Sequence, residues 1–143
     1  METPEVILSR EIAITQTVVD DFITFSGDCN LLHTDDEWTA RNSRFPRRIA
    51  HGAILNAFVS KYITEKFGPG TVYVEQMMQF KHPVYIGDKI TIMLMNPSKI
   101  KKLTRFETNV VLTETEYHAE KGHSPGTLIA TGHALIVEHV TPP

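Results

Sequence analysis

The sequence predicts an α+β fold in which an antiparallel, curved sheet wraps around one long central helix. Three observations predict it. Residues 51–67 carry a helical pattern whose first half, with Ala53, Ile54, Leu55, Ala57, Phe58 and Val59, is apolar nearly all round. Four segments rich in β-branched and aromatic residues follow at 71–82, 89–95, 103–114 and 127–139, separated by turn residues. Within them Ile90, Ile92 and Leu94, and Phe106, Thr108, Val110 and Leu112, recur at the two-residue period of a strand.

Taken in order, Val6 to Ile14 has mixed alternation and reads as a short strand. Thr17 to Ser26 is a helix with Val18, Val19, Phe22, Ile23 and Phe25 on one broad face and Asp20 and Asp21 on the other. Gly27 ends it, as glycine does just beyond a helix C-terminus. Asp28 to His33 follows as a loop. Thr34-Asp35-Asp36-Glu37 is a capping-box pattern, so Thr34 is expected to start a short helix through about Arg41. The stretch 44–50 is basic and irregular around Pro46. His51 to Phe67 is the central helix, stopped by Gly68-Pro69-Gly70. The strands after it break at Pro83 and Ile86-Gly87-Asp88, at Asn96-Pro97-Ser98, and at 122–126. A sheet of this kind leaves edges, and pairing them between two copies predicts a homodimer.

A length of 143 residues predicts one domain spanning 1–143. Hydrophobic residues at 41% and charged residues at 22% are ordinary for a globular protein. Seventeen acids against fourteen bases give a net charge of −3, which argues against nucleic acid as a partner. A single cysteine, Cys29, excludes an internal disulfide framework. Met1 to Glu5 is acidic and precedes only a brief apolar run, so no signal peptide is expected, and no apolar stretch approaches a membrane span. These observations predict a soluble, cytoplasmic protein, or one from an organelle if a targeting segment was removed.

The chemistry-bearing stretch is Phe25 to His33. Asp28 and His33 stand five positions apart at a helix end, with Asn30 between them. Such a pair can activate water, Asp28 taking the proton while His33 orients or donates; it can equally be a loop cap and a satisfied core histidine. Gly52 opens the central helix, where first-turn N–H groups lack intrahelical acceptors and glycine lets a carbonyl approach the backbone. It can also serve only to pack against a strand. His51 reads as structural. Cys29 lies four residues from His33, yet a nucleophilic cysteine needs a partner base, and a bystander is the commoner outcome. Asp28, His33, His51, His82 and His118 show no metal-ligand spacing, so no metal is expected. Arg44, Arg47 and Arg48, and the run Lys99, Lys101, Lys102 with Arg105, are solvated surface or hold the phosphates of a nucleotide-like carrier. Their spacing favours neither cluster.

Three segments resemble a known family. Phe22 to His33, with Ser26, Gly27, Asp28, Asn30 and His33, resembles the hydratase signature of the MaoC-like, (R)-specific enoyl-CoA hydratases and 3-hydroxyacyl-thioester dehydratases. Ile49-Ala50-His51-Gly52 is similar to that family's entry to its central helix. Phe80, Pro83, Val84, Gly87 and Asp88 are similar to its Phe-x-x-Pro-Val-x-x-Gly-Asp hairpin. The resemblance spans roughly residues 17 to 140. It implies a hot-dog fold, a homodimer, no cofactor, and reversible syn-hydration of a trans-2-enoyl thioester of coenzyme A or acyl carrier protein to the (R)-3-hydroxyacyl thioester. By position it makes Asp28 and His33 the catalytic pair, Gly52 the backbone donor to the thioester oxygen, and Asn30 a support of the loop. The family usually has proline after the asparagine; here Leu31 stands there. A hot-dog thioesterase and a non-catalytic acyl-thioester-binding subunit are the competing functions, since fold alone does not fix chemistry. Acyl chain length is left to how Ala53, Ala57, Met77 and the loop after Arg41 pack.

Overall fold

A computed structural model of the chain describes residues 3–117 and 122–138. The elements run β1 (Val6–Ala13), α1 (Gln16–Ser26), α2 (Leu31–Thr34), α3 (Asp36–Asn42), α4 (Gly52–Phe67), β2 (Val72–Phe80), β3 (Lys89–Ile100), β4 (Leu103–Glu114) and β5 (Leu128–Val137). The five strands form one antiparallel sheet in the order β1-β3-β4-β5-β2. This is the α+β hot-dog architecture, with α4 held against the sheet.

Alternation decides which face the helix meets. Ile90, Ile92 and Leu94 of β3 and Phe106, Val110 and Leu112 of β4 are buried, as are Ala130, Ala134 and Ile136 of β5. Register places Ile92 opposite Val110 and Leu94 opposite Thr108, so the apolar rows stack side by side. Ile54, Leu55, Val59, Tyr62 and Ile63 of α4 complete this core. Each fully buried isoleucine or leucine contributes about 1.5–3 kcal/mol relative to exposure. The helix is not covered all round, however. Ala53 and Ala57 are exposed in the single chain, which corrects the expectation of a first half with no wet side.

Three local expectations also change. The segment expected as a plain loop contains the one-turn α2, which carries His33. Asp35, rather than Thr34, caps the next helix: its Oδ1 accepts the Trp38 N–H at 2.8 Å, while Thr34 is the last residue of α2 and its hydroxyl donates to the Asn30 carbonyl at 3.3 Å. Asn96-Pro97-Ser98 does not end a strand but forms a bulge inside β3. The register slips between Met95 and Ser98, Asn96 takes φ of 52°, and its Oδ1 accepts the Glu5 N–H at 2.8 Å. Pro97 has no N–H for the ladder, and the bulge is where a strand tolerates that. The β3–β4 turn falls instead at Lys101 and Lys102. The last expected strand reached His139, which, like His118, lies outside the described residues.

The hairpin entry is fixed by a buried carboxylate. Asp88 is 0% exposed, and its Oδ2 accepts the Tyr85 N–H at 2.9 Å and the His123 Nε2–H at 2.8 Å. Its own carbonyl takes the Ile14 N–H at 2.8 Å, tying the end of β1 to the start of β3.

Candidate active site

The site is assembled where α1 stops. Gly27 closes that helix with φ of 74°, its N–H donating to the Ile23 carbonyl at 2.8 Å. A residue with a Cβ pays roughly 1–2 kcal/mol for that left-handed step, and glycine does not. The chain therefore turns sharply at Asp28. Asp28 Oδ1 accepts the Asn30 N–H at 3.3 Å, and Asn30 Oδ1 accepts the Leu32 N–H at 3.0 Å, so two side-chain turns in succession start α2. Asn30 is thus the N-cap of the turn that presents His33.

His33 is held by main chain. Its Nδ1–H donates to the Ile49 carbonyl at 2.6 Å, an oxygen that can only accept, so the neutral ring carries its lone pair on Nε2. Ile49 returns the contact, its N–H donating to the Leu32 carbonyl at 2.9 Å, while Ala50 N–H donates to the Val84 carbonyl at 2.8 Å. Burial, partly opposed by the bond to Ile49, holds the His33 imidazole below its usual pKa of 6.5; the neighbouring His51 adds to the depression and Asp28 works against it.

His51 lies beneath this assembly at 3% exposure. Its Nε2–H donates to the Asp28 carbonyl at 2.9 Å, and the Asp28 carboxylate Oδ2 is 4.0 Å from the same nitrogen. One ring face meets His33, centroids 3.7 Å apart, and Phe22 packs at 4.6 Å. Asp28, His33 and His51 each bring a ligand-type atom to within 4.8 Å of the others. Carbonyls occupy His33 Nδ1 and His51 Nε2, which leaves His33 Nε2 and the buried His51 Nδ1 as the ring nitrogens without a hydrogen-bond partner among the described residues.

The next residue begins α4. His51 gives it no side-chain cap, and the first-turn N–H groups of Gly52 and Ala53 have no acceptor among the described residues. A Cβ on Gly52 would stand 2.7 Å from Phe80 Cζ, so the missing side chain is space that the Phe80 ring already uses. The contact bears out the packing reading of Gly52, its missing side chain making room for a ring of β2.

A cavity of about 320 Å³ opens between α4, β2 and the segment before α4, lined among others by His33, His51, Gly52, Leu55, Phe80 and Ile129. Asp28 does not line it; it stands half-exposed beyond His51. Of the residues expected to set depth, Ala53 lines the cavity and Ala57 and Met77 do not. Cys29 is exposed and also outside it. Sequence reasoning missed the Ile49 carbonyl, the Phe80 ring and the buried His123. A carboxylate, an imidazole lone pair and unpaired backbone N–H groups beside an apolar cavity can together position water against a conjugated carbonyl.

The likeness to known proteins runs the same way. The chain is 34% identical over 107 residues to a mitochondrial 3-hydroxyacyl-[acyl-carrier-protein] dehydratase of Arabidopsis thaliana, the match covering 72% of this chain and 63% of the relative. It therefore spans less than two thirds of that protein's length. It is 30% identical over 116 residues to an (R)-specific enoyl-CoA hydratase of Aeromonas caviae, covering 80% and 79%. The structure of the R-hydratase PhaJ1 from Pseudomonas aeruginosa superposes with a TM-score of 0.75 at 28% identity, over 100% of this chain and 91% of that one. The model of the MaoC like domain matches residues 3–119. With that match across most of its length, the chain belongs to the MaoC-like domain family.

Proposed function

We propose that the chain is an (R)-specific enoyl-thioester hydratase, adding water reversibly to a trans-2-enoyl thioester to form the (R)-3-hydroxyacyl thioester, or running the reverse dehydration. The observation that carries this is the convergence of Asp28 and His33 beside the uncapped start of α4. In this reading the Gly52 N–H receives the thioester oxygen, which draws electron density from C3. Water donates one hydrogen to His33 Nε2 and the other to Asp28. As the C3–O bond forms, Asp28 takes that proton and the negative charge collects on the oxygen at Gly52. Asp28 then returns the proton to C2 from the face on which water entered. One group serving both steps makes the addition syn. Asn30 acts by holding the turn between the two side chains. The thioester's own conjugation supplies the electrophile, and the substrate carrier is coenzyme A or an acyl carrier protein.

The same reading includes a homodimer. β2 is an edge strand whose Val72, Val74 and Phe80 are each at least half exposed, and such a strand is completed by its copy. Among the described residues no helix is long and apolar enough to cross a membrane.

The test uses crotonyl-CoA, following loss of the conjugated enoyl absorbance together with free thiol. The expected result is loss of conjugation without thiol, an (R) product, and collapse of the rate in Asp28→Asn and His33→Ala. Thiol release without hydration would make the protein a thioesterase. Undiminished activity in both variants would overturn the assigned roles.

A further inference from the structure

The mouth of the cavity carries positive charge that no acid among the described residues neutralises. Arg44 and Lys81 line the cavity of about 320 Å³, and with His82 they also line an adjoining one of about 230 Å³. Among the described residues no aspartate or glutamate stands in the wall of either cavity. Arg44, Lys81 and His82 are exposed, and none makes an ion pair among the described residues; the Arg44 guanidinium lies 5.1 Å from the Phe45 ring centroid. In a chain of net charge −3 this rim is locally of opposite sign.

The remaining candidates are engaged elsewhere or lie away from both cavities. Arg48 holds Asp36 at 3.0 Å and Gln16 at 3.1 Å. Arg47 lies over the Tyr117 ring at 3.9 Å. Lys99 is bonded to Glu138 and Thr104. Lys101 and Lys102 sit in the β3–β4 turn and line neither cavity. Of the two basic clusters that spacing left equal, the Arg44 side alone opens onto the site, and there it is joined by Lys81 from beyond β2.

We propose that Arg44 and Lys81, with His82 beside them, form the subsite for the phosphate on the pantetheine arm of the substrate's carrier. The proposal rests on the hydratase reading, because it is the thioester at Gly52 that would extend a pantetheine arm through this mouth. Arginine and lysine both bind phosphate well, arginine through paired N–H donors and lysine as a point charge. The shared chemistry is a phosphorylated pantetheine, free as coenzyme A or attached to a carrier protein. Because the rim is open to water, its contribution is moderate and salt-sensitive.

The experiment measures binding, independently of turnover. Dissociation constants for coenzyme A, 4′-phosphopantetheine and pantetheine are compared on the wild type, on Arg44→Ala/Lys81→Ala, and on Lys102→Ala as a control. The wild type should hold coenzyme A about tenfold more tightly than pantetheine, and the double variant should lose that preference. Lys102→Ala should retain it. Phosphopantetheine matching coenzyme A would place the shared phosphate at the rim; preference for coenzyme A alone would assign the rim to its nucleotide phosphates. Equal binding of coenzyme A and pantetheine by the wild type would overturn the proposal, as would an unchanged preference in the double variant. If the double variant fails to fold, rising salt on the wild type must weaken coenzyme A and spare pantetheine, or the proposal falls. Phosphate-dependent binding without hydration of any enoyl thioester would refute the hydratase reading and leave the subsite standing.

Discussion

The rings of His33 and His51 lie face against face, their centroids 3.7 Å apart and their planes 30° from parallel. His51 also grips the Asp28 carbonyl, so one buried ring supports both side chains proposed to handle the water. A misplacement of about 1 Å at such a site costs on the order of a hundredfold in rate. His51→Ala is expected to lower kcat by about that factor while KM moves little. His51→Gln, which keeps an N–H near the Nε2 position, should recover part of the loss. Steady-state kinetics on both variants check this, and a loss confined to KM would show that His51 shapes the cavity instead.

His33 carries a pH signature. Its pKa in the fold lies below 6.5, so the unfolded chain takes up the proton first as pH falls. The stability held by the neutral ring is therefore complete above about pH 6.5 and is lost as pH drops from there through the folded value. The acid limb of kcat/KM should likewise have its midpoint below 6.5. Removing His51 takes away both cover and repulsion, so in His51→Ala the midpoint should rise. A midpoint that stays put would separate the acid limb from His33.

Gly52 and Phe80 compete for one space. Gly52→Ala forces the Phe80 ring aside, and at 53% exposure that ring can move, so the variant should fold with a loss of about 1 kcal/mol or less. Displaced into the cavity it lines, the ring should cut kcat/KM by about a hundredfold. Adding Phe80→Ala should restore kcat, since alanine at 52 keeps its N–H, yet leave KM raised because an apolar wall is gone. Failure of the pair to recover kcat would point to the methyl group itself as the obstruction.

Leu31 occupies the first position of α2, is 43% exposed, and donates no hydrogen bond among the described residues. Asn30 before it has ψ of 135°, the extended value that a residue preceding proline prefers. Proline is well suited to a first helical position. Leu31→Pro should therefore raise stability by about 0.4–1 kcal/mol, seen as a higher Tm, by narrowing the unfolded ensemble. A lowered Tm would mean that the leucine side chain contributes contacts outweighing that gain.

What could be read in advance was what local chemistry dictates. Gly27 had to stop α1, and the even spacing of Ile90, Ile92 and Leu94 had to face one way. Other features depended on how neighbouring elements end and pair. Thr34 and Asp35 are both fit to cap, and the choice between them follows from α2 ending at Thr34. Asn96-Pro97-Ser98 looks like a break until β4 is seen to continue the pairing on both sides. The anchor of His33 was invisible for a plainer reason: it is a main-chain carbonyl, which any residue at position 49 would offer.

Ile49 meets α2 through both its N–H and its carbonyl and bridges to Tyr85, two positions before His51 and three before Gly52. The groups proposed to perform the chemistry thus lean on one stretch of main chain, whereas Phe80 and Ile129, which also line the cavity, belong to the sheet. The two supports meet where Phe80 packs on Gly52. Away from that contact, substitution on the sheet can reshape the cavity while the turn that carries Asp28 and His33 keeps its own main-chain bonds. A site built this way can change what it accepts and keep its chemistry.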